Sequence, residues 1–494
     1  MTISIKSIGG TINEQPKVTD LKTRNFETET IEVEYKVEDV ELTICRHYIT
    51  VKTGSSFIKN RTEITKDVGY ESDTNIFVYK IGGLQRGETY TIQVFASDGL
   101  DEGASDAIQQ STKNTSVVGF TINDNISNPD DPTRVNYIEE AVGVAPMTTS
   151  GMGGWKNRFP FSDFKIVGIK NGVETGLINK NNKKEYLDGS PVPADVDVYL
   201  RIPRIYWEAS KSGKVTTVKL ANYNATGDMV TFAHNKSDGL AENNYVAIYQ
   251  ASEENGKLRS KSGATIAKYT IGLTNANYEN NSTNVLPIRK KADASYHSTL
   301  LTGNSYSLIQ MLFVLAFKST DCKKFLGSAE VTTTGTADTK GFISKASSGV
   351  ANSFLGIENV FAKHQYLDGM SMVWVSQDYG HTGWSYNIKE DNTPSLTSFY
   401  DGYKTKVGYS YLQGSGNQYM DEVVGNNFCA LFPYTKGYPA TSSSHYKSGV
   451  NINQGNPGTE FRGYELYFNN GDTIFGADII PQSSMAVVRL NYRR

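Results

Sequence analysis

The chain has 494 residues and a formal net charge of −3 at neutral pH, too long for one ordinary domain and too nearly neutral to favour nucleic acid or an anionic membrane. Three well-separated cysteines, Cys45, Cys322 and Cys429, form no CxxC pair, which argues against a zinc knuckle or a disulfide scaffold. Glycine (45) and tyrosine (30) are abundant, a composition suited to short strands joined by polar turns.

The N-terminal "MTISIKSIGG" lacks the apolar run of a signal peptide. The longest apolar stretch, Leu308 to Phe317, falls well short of the roughly twenty residues that cross a bilayer. The expectation is a protein assembled in the cytoplasm, without membrane insertion. Ile31, Val33, Tyr35 and Val37 alternate with Glu32, Glu34 and Lys36, the period of a half-buried strand, and "YTIQVFA" (Tyr90 to Ala96) repeats the pattern. "NDNISNPDDPT" (Asn123 to Thr133) concentrates turn formers, and residues 114–132 read as a linker.

Beyond it, "FKIVGIKNG" is a strand closed by an Asn-Gly turn. "DVDVYLRIPRIYWEA" (Asp195 to Ala209) reads as one long strand with Val196, Val198, Leu200 and Ile202 inward, and "NYVAIYQAS" (Asn244 to Ser252) as another. A helix is expected over Ser305 to Phe317, extending toward Leu326. Ser305 or Ser307 would cap it, Lys318 sits near its end, and apolar residues on nearly every face predict burial. Residues 376–476, rich in Gly, Ser, Asn and Tyr, read as long loops on one face of a small sheet.

Two resemblances organise these elements. "LQRGETY" (Leu84 to Tyr90) resembles the fibronectin type III signature before a central strand: Leu84, Gly87 and Tyr90 match, and Arg86 and Glu88 replace its Pro and Thr. The resemblance covers residues 18–113, following an N-terminal segment of 1–17. It implies a β-sandwich with a tyrosine corner at Tyr90 and with Tyr35 at the usual core tryptophan position. The second lies in "APMTTSGMGGWKNRFPFSDFKIVGIKNG", "DVDVYLRIPRIYW", "YSLIQMLFVLAFKS", "FLGIENVFAKHQYLDGM" and the ending "SSMAVVRLNYRR". In that order they resemble the C-type lectin-like C-terminal domain of phage tail and fibre proteins. Phe361 stands where that family has Trp, and Ala362–Lys363 where it has Gly-Asn. The resemblance spans most of 133–494, with 133–290 as a β-rich part and 291–494 as a helix plus a loop-rich core. The implied fold class is mainly β: a fibronectin type III-like sandwich followed by a larger α+β lectin-like domain.

The implied function is attachment of a virion, through tail fibre or baseplate, to a host surface glycan or protein. Other tail or baseplate proteins would be partners, and a homotrimer follows by analogy. Tyrosine offers a large, stiff, amphipathic surface, and Ser, Gly and Asn add adaptable hydrogen bonding. The candidate contact residues are Tyr379, His381, Trp384, Tyr386, Tyr400, Tyr403, Tyr409, Tyr411, Tyr419, Tyr438, His445 and Tyr446. A virion decoration protein is the alternative reading, and a polysaccharide depolymerase a third. No HExxH, GxSxG or P-loop pattern occurs, and His364, His381 and His445 lack metal-ligand spacing. No catalytic residue, metal or cofactor is therefore expected.

Overall fold

A computed structural model of the chain describes residues 15–494 except 27–29, 39–45, 65–67, 72–75, 86, 113–114, 272–277, 328, 362–364, 379–380, 389–391, 393–394, 397–404, 411–415, 429, 438–448, 453–459, 467–476 and 480–483. The fold is mainly β, built from sheets that are antiparallel apart from two parallel pairings in the largest. It divides into two compact units, Met1–Ser116 and Val117–Arg494.

The first unit contains β1 (Lys17–Phe26), β2 (Ile31–Glu38), β3 (Arg46–Thr53), β4 (Ser56–Glu63), β5 (Val68–Glu71), β6 (Ile76–Ile81), β7 (Thr89–Ser97), β8 (Glu102–Ala104) and β9 (Ile108–Ser111). One sheet runs β1-β2-β6-β5; the other runs β4-β3-β7, with β8 and β9 both paired to β7. The alternation in the sequence becomes the core. Ile31, Val33 and Tyr35 of β2 and Tyr90, Ile92, Val94 and Ala96 of β7 are buried in a single cluster between the sheets. The Tyr90 hydroxyl accepts a hydrogen bond from Gln85 N at 2.7 Å, closing the corner that leads into β7. Tyr35 stacks on Phe77, and its hydroxyl lies 2.9 Å from His47 Nδ1.

The second unit opens with β10 (Val117–Asn123) and β11 (Val135–Glu139). Residues 114–132 are therefore not mainly linker. The unit boundary falls at Ser116/Val117, and the turn-forming run joins two paired strands. Asp124 and Arg134, both fully buried, meet across that loop at 2.9 Å. Next come β12 (Lys165–Lys170), β13 (Val173–Leu177), β14 (Asp197–Pro203), β15 (Tyr206–Ser212), β16 (Val215–Ala221), β17 (Asn243–Ala247), β18 (Lys268–Ile271) and β19 (Thr299–Leu300). Asn171 and Gly172, at φ 52° and 73°, make the expected hairpin turn between β12 and β13. The stretch expected as one strand over Asp195 to Ala209 is two. It breaks after Pro203; β14 joins a six-stranded sheet and β15 a four-stranded sheet ordered β11-β10-β16-β15. Val196, Val198, Leu200 and Ile202 are all buried.

Among the described residues, the second unit carries two long helices. Helix α1 (Tyr278–Asp293) escaped the sequence reading because its first turns are rich in Asn and Pro287 sits inside it. Helix α2 (Gly303–Phe317) is buried along every residue. Its cap is Thr302, whose Oγ1 accepts from Ser305 N; Ser305 and Ser307 lie inside the helix. Lys318 ends it in a left-handed conformation at φ 51°. The chain from there to Leu326 is not an extension: Asp321 caps a separate turn, Cys322–Phe325.

The C-terminal part holds β20 (Gln365–Asp378), β21 (His381–Ile388), β22 (Thr405–Ser410), β23 (Gly416–Val423), β24 (Pro433–Gly437), β25 (Gly449–Ile452), β26 (Glu460–Leu466), β27 (Ala477–Ile479), β28 (Ser484–Val487) and β29 (Leu490–Arg493). β29 lies between β17 and β19, completing the six-stranded sheet β13-β12-β14-β17-β29-β19. The others join β18 in a ten-stranded sheet. Much of 376–476, expected as loops, is thus sheet. Tyr, Val, Thr and Trp favour strands, and the Gly, Ser and Asn between them serve as turns.

Candidate binding site

The tyrosine-rich strands leave the core and return to it at points held by buried polar contacts. The first departure is on β20. Asp368 is fully buried and receives a bidentate pair from Arg289 of α1, at 2.9 Å from Nε and 2.6 Å from Nη2. Gly369 N also donates to Asp368 at 2.9 Å. Just beyond, Met370 presses on the start of α2 so closely that a Cβ at Gly303 would lie 2.1 Å from the Met370 sulfur. Only glycine fits there without displacing that side chain.

Asn392 provides a second root. Its Oδ1 accepts from Thr302 Oγ1 at 2.7 Å and Asn304 Nδ2 at 3.2 Å, and its Nδ2 donates to the carbonyls of Phe232 and Asn235. A third lies between β23 and β24. Glu422 pairs with Lys211 at 2.8 Å and Lys214 at 3.2 Å. Trp207 Nε1 donates to Asn427 O at 2.8 Å, Ala209 N donates to Asn427 Oδ1, and Phe428 stacks on Phe232 at 4.5 Å. The last root is Arg489, before β29. Burial lowers its pKa to about 9, and it donates to the carbonyls of Ala247 and Glu358 at 2.9 and 2.7 Å. The Glu358 carboxylate accepts from Gly335 N, Thr336 Oγ1 and Ala337 N. His234, between Arg204 and Arg493, accepts from Ile205 N at 3.3 Å; burial chiefly, then those two cations, lowers its pKa to about 3.

The motif residues behind the second resemblance, Glu358, Asp368 and Arg489, are therefore scaffold. Of the candidate contact residues, His381, Trp384 and Tyr386 lie on β21, Tyr409 on β22 and Tyr419 on β23. The strand register brings Trp384 opposite Trp374 of β20 and Ser410 of β22, and Tyr386 opposite Met372 and Gly408. Tyr409 opposes Ser385, so by the two-residue period it belongs to the other face of the sheet from Trp384 and Tyr386. Tyr419 lies further along the sheet, opposite Gly437 and Gly449. Tyr379, Tyr400, Tyr403, Tyr411, Tyr438, His445 and Tyr446 lie outside the described residues, as do His364, Cys45 and Cys429. Among the described residues no group of three or more His, Cys, Asp or Glu could hold a metal ion.

No family model and no curated protein matches the chain. Among solved structures, the chain is similar to a chimeric titin Z1Z2-Z1Z2 tandem functionalised with a GRGDS peptide from fibronectin. The identity is 11% over 47% of this chain and 89% of that one, with a TM-score of 0.16. A likeness at that score carries no argument about this fold.

Proposed function

We propose that the protein is a virion component of a phage, in its tail fibre or baseplate, that attaches the particle to a host surface glycan. It acts without catalysis, through aromatic residues of a lectin-like second unit, while the first unit connects to neighbouring tail or baseplate proteins. The supporting observation is the rooting of the tyrosine- and tryptophan-bearing strands. They leave and rejoin a close-packed scaffold at Asp368, Asn392, Glu422–Asn427 and Arg489, each held by buried or part-buried hydrogen bonds or ion pairs. A rigid frame presenting a compositionally distinct, aromatic insert is how binding surfaces are commonly built. Several copies on one particle would convert weak single-site contacts into firm attachment.

The test is retention of the labelled full chain by intact cells from a broad panel of bacteria. Saturable retention on some strains, competed by their isolated wall polysaccharide, supports the reading. Absence of retention on every strain, in virions whose assembly requires the protein, would establish a decoration role. Release of reducing sugars from the polysaccharide would establish a depolymerase.

A further inference from the structure

We propose that a small monovalent anion, chloride or one of its size, binds inside the second unit against the Arg489 guanidinium, with the Gln365 amide as its second donor. The site belongs to the scaffold and stands independently of the adhesion reading.

The first ground is an unbalanced charge. Among the described residues three arginines are buried: Arg134, Arg289 and Arg489. Arg134 meets Asp124 at 2.9 Å and Arg289 meets Asp368 at 2.6 Å. Arg489 meets main-chain carbonyls alone. Its Nη1 donates to Ala247 O at 2.9 Å, and its Nη2 to Glu358 O at 2.7 Å and Asn359 O at 3.4 Å. Its Nε is buried without a hydrogen-bond partner. The Glu358 carboxylate acts on it through space, its own oxygens being taken by Gly335 N, Thr336 Oγ1 and Ala337 N. A buried cation without an ionic partner is strongly unfavourable, and burial accordingly lowers the Arg489 pKa to about 9.

The second ground is Gln365. It is fully buried, and neither its Nε2 nor its Oε1 has a hydrogen-bond partner. Buried polar groups of native proteins are nearly always paired, with protein, water or an ion. Gln365 opens β20, and its parallel pairing with Val487 places it on the strand beside β28, two residues short of Arg489. Side chains as long as Gln and Arg can meet across that spacing. Two spare donors beside an unbalanced positive charge suit one small anion. Water would satisfy the donors and leave the charge. Neither side chain is open to solvent, which favours a halide over a heavily hydrated phosphate.

The test is thermal unfolding of the full chain in sodium gluconate, with bromide or chloride replacing gluconate at constant ionic strength. Bromide weakens folded proteins in general, so a specific site shows against that trend. At about 0.5 M halide the larger unit's transition should rise by about 2 °C or more, while the first unit's does not rise. Gln365→Met, close in volume and free of both polar atoms, should lose at least about half of that rise, and Arg489→Gln should lose all of it. Chloride NMR of the unaltered chain should show excess line broadening that bromide competes away, a readout that needs neither variant to fold. A transition indifferent to halide, without excess broadening, would mean an ordered water only and overturn the site. A halide rise of equal size in the native chain and in Gln365→Met would overturn its assignment to these residues.

Discussion

Asp368 and Arg289 form a buried pair in which each guanidinium nitrogen facing the carboxylate is used. Asp368→Ala would leave Arg289 buried without its carboxylate, a change that typically costs about 3–5 kcal/mol. The expected outcome is a marked fall in the urea midpoint of the full chain's larger transition, with the first unit's transition unmoved. His234 makes a second prediction. Its folded pKa, about 3, lies below its ordinary value because burial and two nearby arginines disfavour the cation. A group depressed in this way contributes stability that is present above its unfolded pKa, near 6.5, and is lost as pH falls toward 3. Each unit below about 6.5 should remove up to about 1.4 kcal/mol. Melting temperatures between pH 7.5 and 4.5 should fall more steeply in the native chain than in His234→Asn, and equal slopes would contradict the assignment.

At the scale of elements, period-two stretches were legible. β2 and β7 were readable from alternation, because one face of each packs on a core; β14 alternates in sequence although both its faces are largely buried, and β12 was readable from its apolar run and the Asn-Gly turn that closes it. Helix α2 was readable from its apolar run, but its cap was not. Thr302 wins because Ser305 is drawn into a network with Asn244, Asn491 and Arg493 that only the closed sheet creates. The Asn-rich α1 and the strands β21 to β26 were obscured by local composition, since Asn, Gly and Ser signal turns whether or not the residues between them pair. Part of the site was legible as residue types. Its faces were not, since face depends on register, and register is set by a partner strand distant in sequence. Thr302 links helix to site: its hydroxyl caps α2 and holds Asn392 at 2.7 Å. Thr302→Ala should cost about 2 kcal/mol, at the upper end for a lost cap. It should also speed hydrogen exchange around residue 392 while α1 is unaffected.

At the scale of the whole molecule, two units with separate cores share one chain. The first is a sandwich whose corner is fixed by Tyr90 and whose interior is filled by Tyr35 and its neighbours. The second devotes its buried ion pairs and amide networks to fixing where aromatic strands depart from the core. On the proposed reading, recognition would belong to residues 117–494 and connection to residues 15–116. The most direct test is retention of the labelled full chain by intact bacterial cells, alongside a version lacking residues 117–494. An adhesin should give saturable retention of the full chain that soluble wall polysaccharide competes away, with none by the first unit alone. Equal retention of both versions, or none of the full chain on any strain, would contradict it.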